Sequence, residues 1–142
     1  MTRDEIDAVL DRCVAAQVSC NPSAVPALYT ADATIISPMF GACVGHEEIA
    51  EAYREAGKLY AGITNTLETR VIDGLRAIDI HTIRATHVGE IFGVPASHRQ
   101  ISFTMVFVFE MRDGQIAQER RLYDFTSVLV QLGVLRARPA HH

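Results

Sequence analysis

The chain has no tryptophan, and aromatic residues make up only 7% of it. Its three cysteines, Cys13, Cys20 and Cys43, form an odd set with no CxxC spacing. That speaks against a disulfide framework and predicts reduced, mostly buried thiols in a cytoplasmic protein. No apolar run approaches the roughly 20 residues that cross a bilayer. The charged stretch from Met1 to Arg12 lacks the apolar core of a secretion signal, so neither a leader nor a membrane partner is expected. Basic residues are in deficit: 13 Lys and Arg against 17 Asp and Glu give a net charge of −4. A nucleic-acid partner would need the opposite balance, so none is expected. Also missing are a glycine-rich phosphate loop, a nucleophile elbow, a Cys–His dyad and the HxH or HExxH spacing of a metal site. The pair Asp79 and His81 does not make a metal site by itself, and no metal is expected.

What remains is an ordinary globular composition. The 142 residues are 49% apolar and 21% charged, enough for one domain with its own core. A single domain over residues 1–135 is expected, followed by a frayed tail over 136–142. Thr2 and Glu5 stand in capping-box relation, and Ile6, Val9, Leu10 and Cys13 follow at one-face helical spacing. These predict a helix over 3–18, which Asn21-Pro22 ends. A short helix is expected over 24–30 with Ser23 as its cap. An extended segment follows over 33–37 and another over 39–44. Ile49, Ala52, Tyr53, Ala56 and Tyr60 then repeat with helical period from Gly45 to about residue 61. Beyond that the period changes to two. Strands are expected near 63–73, 76–90, 99–111 and 115–124, with turns at Asp73-Gly74 and Asp113-Gly114. A last helix over 125–132 stops at Gly133. Helices followed by a run of strands define an α+β fold, here a long curved antiparallel or mixed sheet wrapped around N-terminal helices and a deep pocket.

The last hairpin carries the chemistry. Ile101, Phe103, Met105, Phe107, Phe109 and Met111 alternate along one face of the third long strand. A two-residue turn at Asp113-Gly114 pairs Met111 with Ile116. Continued without interruption, that register sets Met105 opposite Leu122 and Phe103 opposite Asp124. The Asp124 carboxyl then lies on the Phe/Met face, where burial favours its neutral form and suits it to general acid/base work. A three-residue turn with a Gly114 bulge would instead place Asp124 opposite Ser102 and Thr104. Asp124 is equally a helix N-cap ahead of Phe125. Phe103, Met105, Phe107 and Leu122, with Tyr53 from the preceding helix, are the expected pocket residues. Tyr29, Tyr53, Tyr60 and Tyr123 could each donate to a developing oxyanion. His87 is a candidate proton shuttle or substrate contact. Arg120 and Arg121 point to opposite faces, so one must enter the concave side or pair with an acid there. Glu110 and Glu119 read as surface charges.

The run Thr86-His87-Val88-Gly89-Glu90-Ile91-Phe92-Gly93-Val94-Pro95, Arg99, the strand to Asp113-Gly114-Gln115-Ile116, and Tyr123-Asp124 with Gln131-Leu132-Gly133 resemble the SnoaL-like polyketide cyclase family. That family belongs to the nuclear transport factor 2-like (cystatin-like) superfamily, and the likeness covers nearly the whole chain. It implies a cone-shaped α+β fold with a deep pocket, a homodimer, and no metal or organic cofactor. It also implies that Asp124 is the general acid/base of an aldol-type ring closure and that His87 contacts the substrate. The turn after Gly93, Val94-Pro95-Ala96-Ser97-His98-Arg99-Gln100, keeps only Pro95 and Arg99 of the family's usual sequence, and Ala61 to Asn65 replaces the usual entry to the first long strand. The expected activity is therefore cofactor-free proton transfer, cyclisation or isomerisation, on a small apolar carbonyl-bearing molecule. The alternatives are a non-catalytic ligand-binding or dimerisation module and an epoxide hydrolase-like enzyme, for which a second inward acid is not evident.

Overall fold

Thr2 opens the first helix as its spacing requires. Its hydroxyl oxygen accepts the Glu5 N–H at 3.1 Å, and helix α1 runs Arg3–Val18. The computed structural model describes residues 1–136; apart from Arg136, the expected tail lies outside the described residues. A 3-10 turn, Pro22–Ala24, is capped by Asn21, and α2 covers only Val25–Leu28. The backbone turns extended at Tyr29, earlier than the period predicts, because Tyr29 pairs with Ile116 of a later strand. The elements that follow are β1 Tyr29–Ser37, β2 Gly41–Val44, α3 Gly45–Leu59, β3 Tyr60–Asp73, β4 Arg76–His87, β5 Gln100–Arg112, β6 Gln115–Tyr123 and α4 Phe125–Gln131.

The six strands form one sheet in the order β2-β1-β6-β5-β4-β3. Only β1 and β6 run parallel; every other pair is antiparallel. The α+β expectation holds, with α1 and α3 on the concave side. Ile6, Val9, Leu10 and Cys13 of α1 and Ile49 and Tyr53 of α3 are buried against Met105, Phe107, Phe109 and Met111 of β5. A smaller core joins Ala85, Ile101, Val128 and Leu132. There α4 lies over the part of β5 that extends past β6. The Gln131 side chain closes that gap, accepting the Ser102 N–H at 2.7 Å and donating to the Ser102 carbonyl at 2.9 Å. It does for Ser102 what a neighbouring strand would.

Candidate functional site

Asp113 and Gly114 both adopt positive φ, 53° and 79°, the conformation of a two-residue hairpin turn. Arg112 pairs with Gln115 and Met111 with Ile116, as the short turn demands. The register then slips by one residue after Met111, and Glu110 pairs with Gln118. Ala117 is the extra residue of a β-bulge. A one-residue slip exchanges the faces of everything beyond it. Met105 thus faces Tyr123 in place of Leu122, and Phe107 faces Arg121. The uninterrupted register expected from the pattern is corrected accordingly. Leu122 points to the convex side, 48% exposed, and Glu119, Arg121 and Tyr123 take the concave face.

Glu119 is completely buried, which corrects its reading as a surface charge. Four groups hold its carboxylate. Tyr29 Oη donates to Oε1 at 2.7 Å, Gln17 Nε2 lies 3.3 and 3.2 Å from the two oxygens, Arg121 Nε donates to Oε2 at 2.7 Å, and Cys13 Sγ is 3.8 Å from Oε1. Tyr53 Oη is 2.7 Å from Tyr29 Oη, and Cys13 Sγ is 3.4 Å from the same oxygen. Burial, and then the neighbouring Cys13 and Glu119, push both phenols well above the ordinary tyrosine value, so both remain hydrogen-bond donors. Burial raises the Cys13 thiol too, and Glu119 adds to it; this thiol is no nucleophile. Burial opposes the charge on Arg121, but Glu119 beside it more than compensates and holds the guanidinium above its ordinary value. With Nε tied to Glu119 and the guanidinium over the Phe107 ring at 5.8 Å, the terminal Arg121 nitrogens have no hydrogen-bond partner among the described residues.

Those nitrogens belong to a side chain that lines two adjoining hollows. The outer one, about 430 Å³, lies between β1, α3, β5, β6 and α4; Ile35, Ala52, Phe103, Met105, Tyr123 and Phe125 are among its walls. Its volume lies in the range of small-molecule sites. The inner one, about 140 Å³, is bounded by Gln17, Tyr53, Asn65, Ile83 and Phe107. Both are walled by Ala52, Ala56, Tyr60, Phe103, Met105 and Arg121. Burial, with a contribution from Tyr123, pushes the Tyr60 phenol up to about 12. Glu48, Glu51 and Glu55 of α3 also line the outer hollow. Glu51 and Glu55 are ion-paired to Arg54 and Lys58, whereas Glu48 has no ion pair among the described residues and accepts the Val44 N–H at 3.3 Å.

Of the residues singled out in the sequence, Phe103 and Met105 line both hollows, and Phe107 and Tyr53 line the inner one. Leu122 lines neither. Asp124 is exposed and caps α4, its Oδ1 accepting the Ser127 N–H at 3.1 Å. The bulge and the end of β6 at Tyr123 leave it off the concave face, so the burial expected for it is not found. His87 is buried but lines neither hollow. Its Nδ1 accepts the Ser97 N–H at 3.1 Å and lies 2.9 Å from Ser97 Oγ, which closes the 88–99 loop; Nε2 has no partner among the described residues. That loop crosses α3 at Gly89, where a Cβ would lie 2.2 Å from the Lys58 carbonyl oxygen. Glu119 is the site residue that pattern reasoning missed, and Arg121 is the one of the Arg120–Arg121 pair that enters the concave side, where it meets that acid. The one signal for them was the unbroken Glu119-Arg120-Arg121 charge run, which must send at least one charge inward from a covered face.

No group of three or more His, Cys, Asp or Glu side chains is arranged to hold a metal ion among the described residues. None of their helices is long and apolar enough to cross a membrane. A SnoaL-like domain model matches residues 10–119, and the chain belongs to that family. TsrD from Streptomyces laurentii is similar in structure, with a TM-score of 0.85 at 25% identity over 95% of this chain and 99% of that one. IdmH from Streptomyces antibioticus, described as a candidate polyketide cyclase, gives a TM-score of 0.77 at 24% identity over 90% and 98% of the two chains. A protein with a ketosteroid isomerase-like fold from Catenulispora acidiphila, in complex with trimethylamine, gives 0.78 at 20% identity over 89% and 93%. No curated protein matches the chain. The fold is that of the SnoaL-like family, and the ketosteroid isomerase-like structure shares it.

Proposed function

We propose that the protein is an enzyme of proton transfer, cyclisation or isomerisation, acting on a small apolar molecule whose carbonyl oxygen rests on Arg121. Both reactions begin by removing a proton beside a carbonyl, and the cost lies in the charge that develops on oxygen. A fixed guanidinium in the wall of a mostly apolar chamber stabilises such charge without reorganising. The observation that carries this reading is the Arg121 side chain, held by Glu119 at 2.7 Å with its terminal nitrogens unpaired in the wall of the two hollows. Glu119 positions Arg121 and is occupied by its own hydrogen bonds. Glu48 is the cavity carboxylate without a cation, and we assign it the proton. The description of IdmH as a candidate polyketide cyclase supports the reaction class.

The test is exchange of the α-hydrogens of 2-tetralone for deuterium, followed by proton NMR with and without the protein. Enzyme-dependent exchange that falls at least about a hundredfold in Arg121→Met, the scale of one lost oxyanion donor, is the expected result. Binding without any exchange would instead make the chain a ligand-binding module, a reading favoured by the hydrogen bonds that already occupy Glu119 and by the place of Asp124 as an exposed helix cap. We also propose a homodimer through the convex face, where Val71, Ile78 and Leu122 are about half exposed. Ile80, Val106 and Val108 lie between them on the same face.

A further inference from the structure

The inner hollow carries more open hydrogen-bonding capacity than an apolar chamber requires. Gln17 uses Nε2 on Glu119 and Cys13, which leaves its Oε1 without a partner among the described residues. Asn65 turns Oδ1 to His81 Nδ1, and its Nδ2 is likewise open. Both side chains line this hollow beside Arg121.

The Asn65 amide is held from behind by a chain of buried groups. His81 is fully buried, with Nε2 at 3.0 Å from Asp79 Oδ2 and its ring edge-on to Phe107 at 5.0 Å. Asp79, also fully buried, is gripped in a two-pronged contact by Arg70, Nε at 2.8 Å and Nη2 at 2.9 Å. Arg70 in turn reaches Asp7 at 2.9 Å and Asp11 at 2.8 Å on α1. An apolar set of the same volume would serve packing as well or better. What the polar chain adds is one fixed position for the amide at its end; with both ring nitrogens of His81 donating, Nε2 to Asp79 and Nδ1 to Asn65 Oδ1, the amide N–H groups turn toward the hollow.

We propose that the inner hollow is a second subsite, built for a hydroxyl group of the ligand. The hydroxyl accepts from Asn65 Nδ2–H and donates to Gln17 Oε1, while Arg121 takes the carbonyl. A hydroxyl satisfies both partners; a second carbonyl leaves Gln17 unmatched, and a methyl group leaves both unmatched. The ligand class is a hydroxylated apolar carbonyl compound. His81 is a positioning residue that acts through Asn65. This inference rests on the proposed role of Arg121.

The experiment compares two fluorescent probes, 2-acetylnaphthalene and 6-hydroxy-2-acetylnaphthalene, titrated into the whole protein, whose lack of tryptophan leaves their emission unobscured. The hydroxylated probe is expected to bind roughly tenfold more tightly, the equivalent of one net hydrogen bond. Asn65→Leu should bring the ratio close to one, chiefly by weakening the hydroxylated probe. His81→Leu should lower the ratio in the same way, and His81→Gln, which keeps a donor toward Asn65, should restore part of it. In the unmutated protein the Asn65 side-chain amide signals should move with the hydroxylated probe alone, a readout independent of whether the variants fold. Equal affinities with unmoved Asn65 signals overturn the subsite. Arg121→Met should weaken both probes. If it weakens neither while Asn65→Leu still abolishes the preference, the role of Arg121 fails and the hydroxyl site stands. Failure of both probes to bind overturns both.

Discussion

Glu119 Oε2 accepts a 2.7 Å hydrogen bond from Arg121 Nε, two residues along one face of one strand. The acid is fully buried and the base keeps a quarter of its side chain exposed. Removing the acid leaves a cation facing an apolar chamber. Glu119→Gln should therefore cost about 2–4 kcal/mol, below the full range for a buried pair because Arg121 retains some water. Chemical denaturation checks it. A loss under about 0.5 kcal/mol, the scale of an ordinary surface substitution, would show that a neutral side chain at position 119, still bonded to Tyr29 and Gln17, holds Arg121 in place without the charge.

Asp124 separates two roles cleanly. As a helix cap, Asp124→Ala should cost about 1 kcal/mol and Asp124→Asn almost nothing, since Asn caps as well as Asp. Neither should change deuterium exchange into 2-tetralone. Loss of that exchange in a fully folded Asp124→Asn protein would restore this carboxyl as the reacting acid.

The Asp79 carboxyl tests the buried chain behind Asn65. Burial opposes its ionisation, but hydrogen bonds from His81 and Arg70 outweigh that and hold it below its usual 3.8. A depressed value contributes stability that is complete above the unfolded-state value and disappears as pH falls through the folded one. Asp79→Asn should cost about 3–5 kcal/mol at neutral pH by stranding Arg70 and His81. The gap between variant and parent should narrow only below the usual carboxylate value of 3.8. A gap that stayed constant down to acid unfolding would show that the loss is one of packing.

The convex face gives the fourth expectation. Ile78 and Leu122 are each close to half exposed on a sheet whose other face is covered. Replacing both with lysine places charge in the proposed contact, which a self-complementary interface meets twice. Sedimentation should find the parent as a dimer at micromolar concentration and the double variant as a monomer. A monomeric parent would end the proposal.

The strong periodic signals in the chain correspond to real elements. The Ile6, Val9, Leu10 and Cys13 face, the Asp113-Gly114 turn and the alternation from Ile101 to Met111 each report a local preference that tertiary packing reinforces. Two features were not legible. Tyr29 becomes the first residue of a strand because Ile116, far along the chain, offers a backbone partner, and no local window holds that information. The face of β6 depends on whether one residue is accommodated as a bulge, a choice made by the sheet and the buried Glu119 network together. Residues before the bulge were placed correctly; those after it were placed one step out, and the polar centre of the cavity lies after it.

Ala117 therefore acts as a parity bit for the strand that follows it. Were that alanine paired with Glu110 in an unbroken ladder, Gln118, Arg120 and Leu122 would face the interior and Glu119 and Arg121 would turn outward, although every residue kept its identity; excising it would only straighten the ladder, with Glu119 still opposite Phe109. The accommodation of one residue thus decides which half of the strand's side chains forms the chamber and which forms the back, with no substitution at all.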